Sequence, residues 1–148
     1  MDEALRREFG VEGEWAQWKR HTIRWIECDL YAHVNHAAYF TMFEDMRIAH
    51  WFSLGQRLAP DAPGPVVAQL EARYHRACGF QDEVLLTLRP GTIGRTSFTH
   101  DYALWKGGLV FSAKAVLVCL NNATGERVPV PDEARRLMLE RDGAVERG

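Results

Sequence analysis

The chain has 148 residues and a mass of 16.9 kDa, with 47% hydrophobic and 26% charged residues and a net charge of −2. This composition excludes a disordered or collagen-like chain, and 18 Lys+Arg against 20 Asp+Glu leave no basic excess for nucleic-acid binding. No apolar run approaches the roughly 20 residues a membrane span needs, and the N-terminus is charged rather than shaped like a signal peptide. The expectation is one cytoplasmic domain over residues 1–148. Cys28, Cys78 and Cys119 are widely spaced and odd in number, so they are read as reduced, mostly buried thiols rather than a disulfide framework or a CxxC metal motif.

The first element in chain order is a β-like run over Thr22 to Cys28. A helix-like stretch follows from Ala37 to Gly55. On a helical wheel Ala38, Tyr39, Met42, Phe43, Met46, Ala49 and Leu54 share a broad arc, while Phe40, Ile48 and Trp51 lie opposite among Thr41, Glu44 and Arg47. Apolar residues on both sides predict a helix enclosed by other structure on most sides. Pro60-Asp61-Ala62-Pro63-Gly64-Pro65 forms a loop too short to link domains.

Beyond the loop the period changes to two. Val66, Ala68, Leu70, Ala72 and Tyr74 alternate with Val67, Gln69, Glu71, Arg73 and His75, which predicts a strand with one buried face. Val84, Leu86 and Leu88, then Phe98, Tyr102 and Leu104, continue in the same style. Gly107-Gly108 supplies the positive φ of a tight hairpin, and the strand from Leu109 to Leu120, apolar on both faces, belongs at the centre of a sheet or at a subunit interface. A last helix is expected from Asp132 to Glu140. The sum is an α+β fold: a curved antiparallel sheet of about five strands wrapped around one long helix. Its unprotected edges invite pairing with another chain, so a homodimer or homotetramer is expected.

Chemistry concentrates in Glu27-Cys28-Asp29-Leu30-Tyr31-Ala32-His33-Val34-Asn35-His36-Ala37-Ala38-Tyr39. This turn leads into the helix, whose first N–H groups are unsatisfied and carry the positive end of the dipole. A carboxylate at Asp29 and an oxyanion-binding amide facing one cavity suit hydrolysis of an activated acyl group. Duller readings stand beside this one. Asp29 is equally explained as a turn cap. Asp29, His33 and His36 have ligand-like spacing, but a capping turn explains them as well and no metal is expected. Cys28 is better explained as an inert thiol than as a nucleophile, and Glu44 with Arg47 as a helix ion pair.

The segment from Arg24-Trp25 through Arg47 resembles the signature of hotdog-fold thioesterases of the 4-hydroxybenzoyl-CoA and Tol-Pal-cluster acyl-CoA type. These share an Asp, a GHVNN-like turn, a Tyr and an E-x-x-R, matched here by Asp29, Ala32-His33-Val34-Asn35-His36, Tyr39, and Glu44 with Arg47. Glu71–Glu83, Ile93–Phe98 and Val128–Pro131 extend the similarity over nearly the whole chain. The resemblance implies a cofactor-free, oligomeric enzyme that hydrolyses acyl-CoA thioesters. It places the catalytic carboxylate, nucleophile or general base, at Asp29 and the carbonyl-polarising amide at His36. It also places His33, Asn35 and Tyr39 beside the substrate and Arg95 against the CoA phosphates. Ala32 stands where the family has Gly, which implies a turn without positive φ. The basic residues near Arg95 are few, so an acyl-carrier-protein thioester is an alternative; because a fold does not fix a function, a non-catalytic acyl-thioester-binding protein is another, with a dehydratase further behind.

Overall fold

The computed structural model describes residues 1–147. Helix α1 (Glu3–Phe9) is capped at one end by the Asp2 carboxylate, which accepts from the Leu5 N–H, and ends at left-handed Gly10. Strand β1 (Gln17–Thr22) and a 3-10 turn at Trp25–Glu27 lead to helix α2 (Ala38–Ser53). Strands β2 (Pro63–Tyr74), β3 (Glu83–Ile93), β4 (Ser97–Trp105) and β5 (Leu109–Asn121) follow, then helix α3 (Asp132–Glu140) and the two-residue strand β6 (Val145–Glu146). The sheet order is β1-β3-β4-β5-β2, antiparallel throughout, with β6 added parallel to the far end of β3. No helix among the described residues is long and apolar enough to cross a membrane.

The period-two pattern sorts the strands onto two faces. Inward-facing Leu86, Leu88, Phe98, Tyr102, Leu104, Phe111 and Leu117 close over Tyr39, Met42, Phe43 and Met46 of α2. Alternate residues Leu85, Ala103 and Trp105 form a second, smaller cluster on the outer face, covered by Phe9 and Val11 behind α1. Val84 to Leu88 is therefore buried on both faces. The Gly107-Gly108 hairpin has the expected positive φ at both residues, and the Phe9 carbonyl accepts from Gly108 N–H, docking α1 there. A Cβ on Gly10 would meet the Gly108 nitrogen at 2.5 Å, so this docking requires glycine.

Three expectations are corrected. The strand expected over Thr22 to Cys28 lies earlier, at Gln17–Thr22, because Arg24 to Glu27 fold into a 3-10 turn closed by the buried Glu27 carboxylate; Trp25 and Ile26 point outward. Strand β2 does not bury one face. Val66, Val67, Leu70 and Tyr74 are all exposed, since β2 is an edge paired only to β5. Helix α2 is enclosed on one side rather than most, with Thr41, Asp45, Ala49 and Phe52 in an exposed row.

Candidate active site

The loop between the 3-10 turn and α2 is held by backbone bonds at both ends. Asp29 N–H donates to the His33 carbonyl (2.8 Å), Val34 N–H to Cys78 (2.8 Å) and Asn35 N–H to Glu27 (2.8 Å). Ala32 takes φ +58, contrary to the expectation of a turn without positive φ. The substitution for glycine kept the left-handed backbone and its cost of roughly 1–2 kcal/mol. Across from it, Phe80 N–H donates to the Ala32 carbonyl, and a Cβ on Gly79 would meet that oxygen at 2.5 Å, so only glycine lets the two strands of loop approach.

This geometry fixes the Asp29 carboxylate. Oδ1 accepts from the N–H groups of Tyr31 (2.8 Å) and His33 (3.3 Å), forming the capping turn that was the duller reading. Oδ2 accepts no hydrogen bond among the described residues, so capping occupies one oxygen and leaves the other available. Asn35 forms the turn that leads into α2: its Oδ1 takes the Ala37 N–H (2.9 Å) and its carbonyl takes the Ala38 N–H (2.9 Å). The His36 N–H is left without a partner among the described residues, at the positive end of the helix, while the His36 carbonyl accepts from the Tyr74 hydroxyl (3.0 Å). A free carboxylate oxygen and a free amide thus flank one short, braced turn.

The remaining sequence-based candidates divide. The His33 side chain is exposed on the loop, which a shallow concavity lined by Tyr31, His33, Cys78 and Phe80 adjoins. Tyr39 is 3% exposed, stacked on Phe111, with its hydroxyl 3.6 Å from the Cys78 sulfur. Burial pushes that hydroxyl well above its ordinary pKa. Arg95 is not brought to the site: it follows β3, whereas the Asp29 loop packs beside the start of β3, roughly 30 Å away along the strand. Burial and the neighbouring Glu27 and Asp29 carboxylates push the Cys28 thiol up, which disfavours the thiolate a nucleophile needs.

Two features were missed in the sequence. Burial opposes ionisation of Glu27, yet the Arg24 N–H and the His21 imidazole hold its carboxyl below the usual range, and it anchors the turn that delivers Asp29. A single acid inside the apolar run Ile23–Cys28 was the available signal. Second, a hydrogen-bonded chain crosses the core at the other end of α2. It runs from Asp142 Oδ2 to His50 Nε2 (2.8 Å), from His50 Nδ1 to His100 Nε2 (3.1 Å), and from His100 Nδ1 to the Tyr102 hydroxyl (3.1 Å). Sequence separations of 92 and 50 residues give no local signal for it.

The model of the thioesterase-like superfamily matches residues 23–138. The uncharacterized protein YsmA of Bacillus subtilis is 25% identical over 120 residues, covering 80% of this chain and 82% of its own. Among solved structures, a thioesterase-superfamily protein from Jannaschia sp. CCS1 superposes with a TM-score of 0.86 at 26% identity, covering 97% of this chain and 94% of that one. A thioesterase from Thermus thermophilus, solved in complex with coenzyme A and Zn, superposes with a TM-score of 0.70 at 26% identity, covering 84% and 92%.

Proposed function

Since the chain belongs to the thioesterase-like superfamily and is a thioester hydrolase, we propose that it cleaves acyl-CoA to a free acid and CoA at the Asp29–His36 turn. The observation that carries this reading is the pairing of an unpartnered Asp29 Oδ2 with an unpartnered His36 N–H at the start of α2. The thioester carbonyl oxygen accepts from the His36 N–H. As the carbonyl carbon becomes tetrahedral, that amide and the helix dipole stabilise the negative charge on oxygen. Asp29 either adds to the carbonyl carbon, giving a mixed anhydride that water later cleaves, or takes a proton from the water that adds. In both routes the C–S bond breaks, and the CoA sulfur leaves as thiolate and gains a proton. His33 stands at the mouth as a substrate contact. Asn35 and Tyr39 act on substrate indirectly, Asn35 by shaping the helix start and Tyr39 by packing behind it.

The same reading requires a second chain. Arg95 reaches a CoA phosphate only from a partner copy, and the exposed β2 edge, with Val66, Val67 and Leu70 uncovered, is the surface on which a second copy would pair. The protein then works as a homodimer, or as a tetramer of such dimers.

Thiol release across aromatic, short and long acyl-CoA esters tests the activity, with light scattering on the same sample. Turnover on at least one ester by a particle of about twice 16.9 kDa or larger is expected. Saturable binding without thiol release would make the protein a non-catalytic binder, and release only from carrier-protein thioesters would change the substrate class.

A further inference from the structure

The His36 N–H belongs to the Asn35–His36 peptide, whose carbonyl accepts from Ala38 N–H (2.9 Å), and the next peptide places Ala37 N–H on Asn35 Oδ1 (2.9 Å). These bonds close within residues 35–38, so they make a compact unit without aiming it. Upstream the unit hangs on a single pivot, Asn35 N–H to the Glu27 carbonyl (2.8 Å). Among the described residues, residues 35–37 have one further hydrogen bond to another part of the fold. It comes from the sheet: the Tyr74 hydroxyl, at the end of β2, donates to the His36 carbonyl (3.0 Å). That carbonyl stands outside the helical ladder, because Phe40 N–H bonds Ala37 instead (3.2 Å).

Tyr74 is 51% exposed, yet it is held on every side that matters for its hydroxyl. Its backbone pairs with Phe111 of β5, and the N–H of the next residue, His75, donates to the Val110 carbonyl (2.9 Å). Its ring stands edge-on to Phe111 (centroids 4.9 Å apart, 73° between planes) and to Tyr39 (5.7 Å, 78°), and those two rings stack on each other at 4.2 Å. Edge-to-face and stacked contacts of this kind are attractive beyond the area they bury, so the core sets where the hydroxyl points. Donation to the His36 carbonyl also polarises the peptide whose N–H bonds Asn35, so the two hydrogen bonds reinforce each other. Water can satisfy an exposed carbonyl as well as a hydroxyl does. It does not hold that carbonyl in one direction, and an oxyanion donor works only when its N–H already points to where the charge will form.

We propose that Tyr74 is a positioning residue for thioester cleavage: its hydroxyl fixes the His36–Ala37 peptide from the sheet and so aims the neighbouring His36 N–H at the substrate carbonyl oxygen. The inference rests on the reading of that N–H as the oxyanion donor. It brings β2 into the site through a contact 38 residues apart in sequence. The hydroxyl itself touches no reacting atom and transfers no proton.

Tyr74→Phe keeps the ring and removes only the hydroxyl. On the best acyl-CoA ester, kcat per folded molecule is expected to fall about 10- to 100-fold, the cost of a misplaced donor. KM should stay within about two-fold and the melting temperature within a few degrees of the parent. A tie that merely fastened β2 to α2 would lower the melting temperature and leave kcat alone, so an unchanged kcat, or a loss confined to KM, overturns the proposal. The second readout uses the free protein: NMR relaxation dispersion of the backbone amides. In Tyr74→Phe, His36 and Ala37 should gain microsecond-to-millisecond exchange that the parent lacks, while residues 29–34 stay as they were. A His36 amide as static as the parent's overturns the proposal whatever the rates show. If the parent turns over no ester, the hydrolytic reading fails, and the amide measurement alone decides the role of Tyr74: new exchange at His36 supports it and its absence refutes it.

Discussion

The two ends of α2 each hold an aspartate beside histidines, and they are built for opposite purposes. At the N-terminal end Asp29 is half-buried, one of its oxygens ties down the turn, and the other oxygen and the His36 amide have no internal partner. At the C-terminal end the titratable groups are spent on one another. Asp142 accepts from His50 and from Nε and Nη2 of Arg141, and hydrogen bonds link Tyr102, His100, His50 and Asp142 in one chain. Arg141 also grips the Ser53 carbonyl and hydroxyl, so the chain fastens the segment after α3 to the end of α2. A cluster of titratable residues is reactive only where some of its atoms are left over. The buried cluster has the richer chemistry on paper, and the open one has the chemistry that can reach a substrate.

The comparison breaks most visibly if the buried chain is cut. His50→Ala takes one hydrogen-bond partner from each of Asp142 and His100 in the core and opens a cavity, which should cost about 3–5 kcal/mol in urea denaturation while leaving kcat of the folded fraction nearly unchanged. An equal loss of kcat would mean that the two ends are coupled. Acidification sharpens the contrast. Burial, then the His50 and Arg47 charges, hold His100 well below the ordinary histidine range, so below about pH 6.5 the unfolded chain binds a proton that the folded chain refuses. Stability should therefore fall as pH drops, by about 1 kcal/mol between pH 6.5 and 5.5. Burial opposes ionisation of Asp142, but His50 and Arg141 keep its carboxyl below the usual value, which adds a further loss only below about pH 4. The variant His100→Gln, which can keep both hydrogen bonds, should flatten the first decline in paired denaturation curves; an identical slope would assign it to other groups. The smallest effect belongs to the open end. Replacing Ala32 with Gly removes the left-handed strain and should stabilise the protein by about 0.5–1 kcal/mol, once glycine's entropy is charged against it. A destabilised variant would show that the turn is not strained.

Local pattern carried most of the fold. The helix expected at Ala37 to Gly55 is Ala38–Ser53, the last helix has its expected bounds of Asp132–Glu140, and the strand apolar on both faces, Leu109–Asn121, lies between β4 and β2. What failed were features set by distant parts of the chain. The exposure of β2 depends on having no neighbour beyond it, and the misplaced first strand depended on a single buried acid, Glu27, folding an apolar run into a turn. Helix α1 was not anticipated, because its seven residues carry one buried side chain, Phe9, and its docking depends on glycines about a hundred positions away. At the site, the segment from Asp29 to Tyr39 was legible because it is contiguous. The distance of Arg95 from it, the positive φ of Ala32 and the histidine chain were not, since each is decided by tertiary packing rather than by spacing.

The most direct measurement makes the same isosteric change at both ends. Thiol release on the best acyl-CoA ester is followed for Asp29→Asn and Asp142→Asn beside the parent protein, with each rate normalised to the folded fraction. Asp29→Asn should lose about 10²–10⁴ in kcat with its melting temperature nearly unchanged, as expected for loss of a reacting carboxylate from an exposed turn. Asp142→Asn should melt earlier and hydrolyse normally. Near-parental turnover in Asp29→Asn, or a collapse of turnover confined to Asp142→Asn, would contradict the assignment of the reaction to the open end of the helix.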